Sequence, residues 1–430
     1  MRRGFLVVSF GILLSAPAAA QQAPAPQGLE VTLQEAVRRA LEVQPAMVQA
    51  RGGQRTFGAA RTSAWGAFLP SVSFSGFATK NSTQRYDQNS NKLIPPIPNY
   101  GGSLSGGINL ITGVGQFASI KAANANVDAA EAGVVVQRFQ VTLATKQAFY
   151  NAIANEELVR VADAQVRRAQ QQLQISVEKL HAGSATRSDS LRSQVDYGNA
   201  RIALLQAQAN LATAQANLGR QIGVDQQVRA IPDTALPPVA DTAALRALAV
   251  ESAPQVQQAE AAARAAQAGV WAARAQYLPS LTLSLGTSRQ DTVFASAFVN
   301  NEVHNWRIGL SWTIFNGFGR EQQQVSASVS RDNAEAAAAD ARRQVNAQLT
   351  QALAGLATAY EQISIARDNL AAATEDLRVQ NERYRVGAAT ILDLLTSQAA
   401  LTQAEVNVVQ TRFNYLIARA QVEAVLGRTL

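Results

Sequence analysis

Few residues in this chain are equipped for chemistry. With no cysteine and two histidines among 430 residues, it has no thiol nucleophile, no thiolate metal site, no disulfide and no lipid anchor on cysteine. His181 has no partner at ligand spacing and reads as a surface residue. There is no phosphate-cradling Gly-rich loop and no Ser/His/Asp set in a recognisable motif. An enzyme is therefore not expected, and neither a cofactor nor a metal is implied. The acidic residues that stand out do so by position: Asp189 follows Gly183 and Thr186, and Asp393 follows Gly387 and Thr390 at the same spacing. At the start of a helix an anionic group such as Asp393 is favoured by about 0.3–1 kcal/mol.

Those two acids recur because the chain repeats itself. At an offset of 209, Pro45, Gln49, Ala50 and Leu69-Pro70-Ser71 fall on Pro254, Gln258, Ala259 and Leu278-Pro279-Ser280. At an offset of 204, Gly113, Gly115, Gly183, Thr186, Asp189, Gln194 and Gly223 fall on Gly317, Gly319, Gly387, Thr390, Asp393, Gln398 and Gly427. The change of offset lies between Ser71 and Gly113, in a hairpin where insertions are tolerated. The expected organisation is a first repeat over 21–223, a Pro-bearing linker over 224–240 and a second repeat over 241–430.

Long helices must position the two turns. No proline occurs between residues 99 and 231 or after 279, so both tracts can be helical. Leu349, Leu356, Ile363, Leu370, Leu377 and Tyr384 recur every seven residues, as do Leu394, Leu401, Val408, Tyr415 and Val422, which is a coiled-coil period. Three residues beyond these lie small ones, among them Ala352, Ala359 and Ala366 on one tract and Ser397, Ala404 and Ala418 on the other. The first repeat carries the same scheme in Tyr197, Leu204, Leu211 and Leu218. Two antiparallel helical hairpins follow. Helices over 116–182 and 320–386 would each run ~100 Å at ~1.5 Å per residue, with shorter partners over 187–222 and 46–68 stacked alongside the first.

After Pro70 the period changes to two. Val72, Phe74 and Ala78 alternate with serines and Thr79, and Leu104, Ile108 and Leu110 alternate with Ser103, Ser105 and Asn109. The second repeat gives Leu281, Leu283 and Leu285, then Trp306, Ile308, Leu310 and Trp312. These runs predict β-hairpins at about 71–110 and 280–312, with strands of roughly ten residues, the length of a tilted outer-membrane strand, joined by polar loops from Asn81 to Tyr100 and from Arg289 to Asn305. A half-buried sheet of a water-soluble protein shows the same alternation. Four strands cannot close a barrel in lipid, so a membrane reading requires several copies in closed symmetry.

Arg2 and Arg3, the apolar run Phe5 to Leu14 and Ala18-Ala19-Ala20 have the three parts of a secretory signal over residues 1–20. Removing it leaves 36 basic against 31 acidic residues. The charges are scattered in both signs along helices, and no basic run with interleaved aromatics points to nucleic acid. No later apolar stretch reaches the ~18–20 residues of a membrane-spanning helix.

The duplicated pattern resembles the TolC family of outer-membrane efflux proteins over nearly the whole chain. The resemblance rests on Leu33 to Pro45, Leu69-Pro70-Ser71, Trp312 to Gly317 and Tyr384 to Asp393. It implies a mainly α fold with a small β part: a long antiparallel coiled-coil helical barrel continued by a transmembrane β-barrel assembled from several chains, four strands per chain. It further implies a homotrimer in outer-membrane lipid with a periplasmic helical extension. Such a trimer is the exit duct of a tripartite efflux or type I secretion system, which conducts substrates passively from a periplasmic adaptor and an inner-membrane transporter. By motif position Asp393 would line the periplasmic entrance, with Asp189 and Tyr384 holding it closed. Thr396 stands where a second acid can sit and Ala389 where an arginine can. The turns Gly183, Ser184, Thr186 and Gly387, Ala388, Ala389, Thr390 would form the adaptor-contacting tip. A soluble periplasmic coiled-coil protein, structural or chaperone-like, is the alternative for the heptads alone.

Overall fold

A computed structural model describes residues 29–80, 82–89, 91–111, 115–232, 253–295 and 302–430. The expected signal and residues 233–240 of the expected linker lie outside these residues. The chain opens with β1 (Leu29–Val31) and α1 (Leu33–Val43), whose N-cap Thr32 accepts from the Glu35 amide. Helix α2 (Pro45–Gly66) starts afresh because Pro45 cannot donate to the preceding turn.

Helix α3 (Gly115–His181) and helix α6 (Gly319–Arg385) each have 67 residues, and their partners α4 (Arg187–Ile222) and α7 (Ile391–Leu426) each have 36. Every boundary of α6 and α7 lies 204 residues after that of α3 and α4. At ~1.5 Å per residue the long helices run ~100 Å. Helices α2 and α4 both pack along α3, and α5 (Pro254–Arg274) packs on both α3 and α6. Among the heptad residues, Leu349, Leu356, Ile363, Leu377, Leu394, Leu401, Tyr415 and Val422 are buried. The small positions Ala359, Ala366, Ser397, Ala404 and Ala418 are buried too, so the seam closes through small residues. No helix among the described residues is long and apolar enough to cross a membrane.

Near mid-height β1 pairs in parallel with β6 (Val228–Ala230), bringing together residues almost two hundred positions apart. Val31, Val228, Phe149, Leu218, Leu349 and Val422 share one core there.

The remaining strands form two sheets. A small hairpin, β3 (Arg85–Asp87) and β4 (Lys92–Ile94), sits within the expected first loop. The main sheet is antiparallel in the order β2 (Ser71–Lys80), β5 (Pro98–Ile111), β7 (Ser280–Asp291), β8 (Val303–Ser311). Strand β5 starts two residues before the expected loop end at Tyr100, and β7 runs two past Arg289, where the second loop was expected to begin. Continued ladder pairing, Lys80 with Pro98 and Tyr100 with Asp291, extends both. The register places Val72, Gly106, Leu285 and Trp306 in one row and Ser73, Ser105, Gly286 and Asn305 in the next. Rows of alternate parity face opposite sides. One face therefore carries Val72, Phe74, Leu104, Leu285, Trp306 and Leu310, of which Phe74 is 70 % and Leu310 72 % exposed. The other carries hydroxyls, with Ser73 and Ser105 sharing a 2.8 Å hydrogen bond and Ser75 and Ser103 another of 2.8 Å.

Where the sheet meets the helices, Trp312, Ile314, Phe315 and Phe318 are exposed. Their segment is tied down by Arg320, which donates to the Thr313 and Ile314 carbonyls at 2.7 and 2.8 Å and lies over the Tyr277 ring.

Candidate functional site at the tip turns

The two helical hairpins turn at the end of the molecule remote from the sheet. Helix α3 closes on Gly183 at φ +74°, with the Ser184 amide donating to the Lys179 carbonyl at 2.9 Å and the Gly183 amide to Leu180 at 3.0 Å. Helix α6 closes in the same way on Gly387 at φ +79°, the Ala388 amide donating to Arg383 at 2.7 Å and the Gly387 amide to Tyr384 at 3.3 Å. This Schellman arrangement needs a residue in the left-handed region, where glycine meets no steric penalty. A side chain at either glycine would have open space around it, so backbone conformation alone selects glycine. Gly183, Ser184, Gly387 and Ala388 are all exposed.

Each partner helix starts with a capping box. The Thr186 amide donates to Asp189 Oδ2 at 2.9 Å, and the Asp189 amide returns a bond to Thr186 Oγ1 at 3.3 Å. Thr390 and Asp393 repeat this at 2.9 and 3.2 Å, and the Thr390 hydroxyl adds a third bond to Asp393 Oδ2 at 2.7 Å. Two orphan amides per helix are satisfied reciprocally. The Thr390 amide, and after it the Thr390 hydroxyl, hold the Asp393 carboxyl below the usual carboxylate range. Asp393 is exposed and anionic at neutral pH, and the helix-start role weighed above is one it performs. Thr396 is exposed and turns its hydroxyl back to the Leu392 carbonyl at 2.8 Å. Ala389 is half-buried beside the second turn.

The structure joins Thr186 to Asp189 and Thr390 to Asp393, but among the described residues no hydrogen bond joins Asp189 to Tyr384. Tyr384 is held instead by Lys179, whose Nζ lies 3.9 Å from the ring centroid and donates to the Tyr384 carbonyl at 2.7 Å. The Tyr384 hydroxyl is buried with no hydrogen-bond partner among the described residues. Lys179 was missed in the sequence, although its signal was present. Lys146, Glu157, Arg168 and Lys179 stand eleven residues apart, about three helical turns, and so share one stripe of α3. The first three meet opposite charges on α7: Lys146 bonds to Glu423, Arg412 reaches Glu157 at 3.4 Å, and Arg168 grips both oxygens of Glu405 at 2.7 and 3.0 Å. At the tip the stripe ends on a carbonyl and a ring rather than a carboxylate.

Two hairpins ~100 Å long carry a four-stranded sheet that is apolar on one face, hydroxyl-bearing on the other and, among the described residues, open at both edges. That combination defines a class, the subunit of a channel. Residues 36–224 and 245–428 match the family described as outer membrane efflux protein, and the chain belongs to that family of efflux channels. It is similar to the outer membrane efflux protein BepC of Brucella suis biovar 1 (25 % identity over 313 residues, 70 % of this chain and 68 % of the relative). It is also similar to protein CyaE of Bordetella pertussis (27 % over 292 residues, 66 % of this chain and 61 % of the relative). The crystal structure of the outer membrane protein VceC from Vibrio cholerae shares the fold at a TM-score of 0.77, with 17 % identity, 92 % of this chain covered and 96 % of that one.

Proposed function

We propose that three copies of this chain form the exit duct of a tripartite efflux or type I secretion system. Their sheets close a transmembrane barrel, and their helices form a periplasmic tunnel. The observation that carries this reading is the sheet: among the described residues β2 and β8 are edges with unpaired backbone groups, which lipid does not tolerate. A second support is the apolar stripe Leu191, Val195, Ile202 and Leu205, which lies exposed on α4 of a single chain and which a neighbouring copy would cover. The chain then comprises a cleaved signal over 1–20 and two structural repeats, 21–223 and 241–430. Native mass analysis of a detergent extract should give a heat-sensitive trimer; a well-folded monomer would remove the barrel.

The tip turns are the docking surface for a periplasmic adaptor in this reading, and the exposed small residues Gly183, Ser184, Gly387 and Ala388 support it. Asp393 and Asp189, three copies of each around one axis, give the mouth a negative potential that favours cations, with Tyr384 and Thr396 beside them. A bulky residue at Gly387 would confuse backbone strain with docking, because that residue is left-handed. Ala388→Trp avoids the strain. It is expected to abolish export while leaving trimer yield unchanged, and undiminished export would take the tip out of the interface.

A further inference from the structure

On the apolar face of the sheet lies a groove of about 420 Å³. Val72, Leu104, Leu285 and Trp306 wall it, and Gly106 forms its floor. In the row Val72, Gly106, Leu285, Trp306 the glycine alone lacks a side chain. Packing does not demand that gap: a Cβ at Gly106 would meet the Ser71 carbonyl at 3.5 Å and Val72 Cγ2 at 3.9 Å, ordinary contact distances.

Toward the loops the same face turns polar on β7 and β8, while Phe74 and Leu104 keep it apolar on β2 and β5. Thr287 pairs with His304 directly beyond Leu285 and Trp306, and both line the groove's outer end. One row further stands Arg289. Glu302 accepts from Thr287 at 3.0 Å and from Arg289 at 2.5 Å, and lies 3.8 Å from His304 Nε2. His304 is 75 % exposed. Charged side chains on the outward face of a membrane barrel are costly at mid-depth and tolerated near the interfaces. This cluster therefore marks the level of the outer headgroups, and the groove beneath it marks the level of the chains. Glu302 fixes the guanidinium of Arg289 at the rim, and Arg geometry suits phosphate oxygens.

We propose that this groove binds one outer-leaflet lipid with a net-anionic phosphate headgroup. An acyl chain lies over Gly106 between Leu104 and Trp306, and the phosphate is held by Arg289 and His304. The inference rests on the reading above that the sheet crosses the membrane. Trp306 reports on it directly.

The test uses the full chain reconstituted in phosphatidylcholine vesicles, with Trp65, Trp271 and Trp312 replaced by Phe so that Trp306 is the one fluorophore. Brominated phosphatidylglycerol and brominated phosphatidylcholine are added in turn as the minor quencher at pH 7. Because Glu302 offsets part of the Arg289 charge, phosphatidylglycerol is expected to quench with about twofold higher apparent affinity in the parent and about fivefold, the equivalent of one uncompensated cation on an anionic headgroup, in Glu302→Gln. Arg289→Gln should erase that preference, His304→Gln should reduce it by less, and Glu302→Gln should raise it by removing a like charge. Gly106→Leu should weaken quenching by both lipids, and Gly106→Ala, whose methyl group has room, should do so slightly. Equal quenching by the two lipids in the parent and all three rim variants overturns the headgroup site and leaves the membrane reading standing. No quenching by either lipid overturns the membrane reading itself.

Discussion

The two tip hairpins end in the same backbone geometry and are held together by different chemistry. Both turn on a left-handed glycine, and both restart on a Thr-Asp capping box. Behind the second turn Leu377, Ile391, Leu394 and Leu401 form an apolar cluster, with Leu370, Tyr384 and Leu395 packed against it. Behind the first turn the matching positions for Ile391, Leu394 and Leu401 are Arg187, Ser190 and Tyr197. There Gln172 donates to Ser176 Oγ at 3.1 Å, and Ser176 shares a 2.8 Å bond with Ser193, all three buried. A duplicated sequence can thus keep its turns while exchanging an apolar seam for a polar one. The apolar seam gains from every methylene removed from water, whereas a hydroxyl pair nets only about 1 kcal/mol because water competes for both groups.

That contrast is open to direct attack. Leu394 is fully buried, so Leu394→Ala should destabilise the second tip by roughly 2–5 kcal/mol, whereas Ser193→Ala should cost the first tip only about 1 kcal/mol. Hydrogen exchange resolved over 370–400 and 170–196 reads the two effects separately. Comparable losses at both tips would show that the hydroxyl seam is as strong as the leucine cluster.

Lys179 is the bond between the tips, so Lys179→Met tests whether they move together. Loss of the carbonyl hydrogen bond and of the ring contact should cost about 1–2 kcal/mol. Exchange should rise around Tyr384 while the stretch near Arg168 and Glu405 stays protected. Protection lost equally along the whole of α3 would mean that the ionic rungs above do not hold independently of the tip.

The smallest effect is the dependence on pH, and it has opposite signs in the two hairpins. The Asp393 carboxyl is held below its ordinary value, so its contribution is present above the unfolded pKa near ~3.9 and fades as pH falls through the lower folded value. Burial pushes the Asp196 carboxyl up on α4. The first hairpin therefore gains stability as pH falls from that raised value toward the ordinary one. Asp393→Asn should flatten the acid response of the second tip, and Asp196→Asn that of the first. Identical acid responses at the two tips in the parent protein would contradict the assignment.

Much of this architecture could be read from one chain of letters, because local periodicity and the repeat dictate it. Heptad spacing announced the buried Leu349 to Leu377 and Leu394 to Val422 seams, since a residue that returns every seventh position must return to one helix face. Gly183 and Gly387 announced the turns, because few residues other than glycine accept their backbone angle. Alternation at Val72, Phe74, Leu283 and Leu285 announced the strands, since successive side chains on a strand face opposite ways. Asp189 and Asp393 were legible as positions but not as partners, because a capping bond depends on where Thr186 and Thr390 point.

What tertiary structure alone decided is whatever joins distant stretches. The parallel pairing of Leu29–Val31 with Val228–Ala230 has no local signature, for three residues carry too little pattern to name a partner. The stripe Lys146, Glu157, Arg168, Lys179 is regular in sequence, yet only the packing of α7 and of the end of α6 against α3 shows which rungs meet charge and which meets a carbonyl. Likewise the groove over Gly106 exists because the ladder register aligns four strands from two repeats, so that one missing side chain opens a space rather than a turn. Local propensity is set by neighbours along the chain; charge partners, cavities and edges are set by neighbours in space, and these arise only when the elements pack.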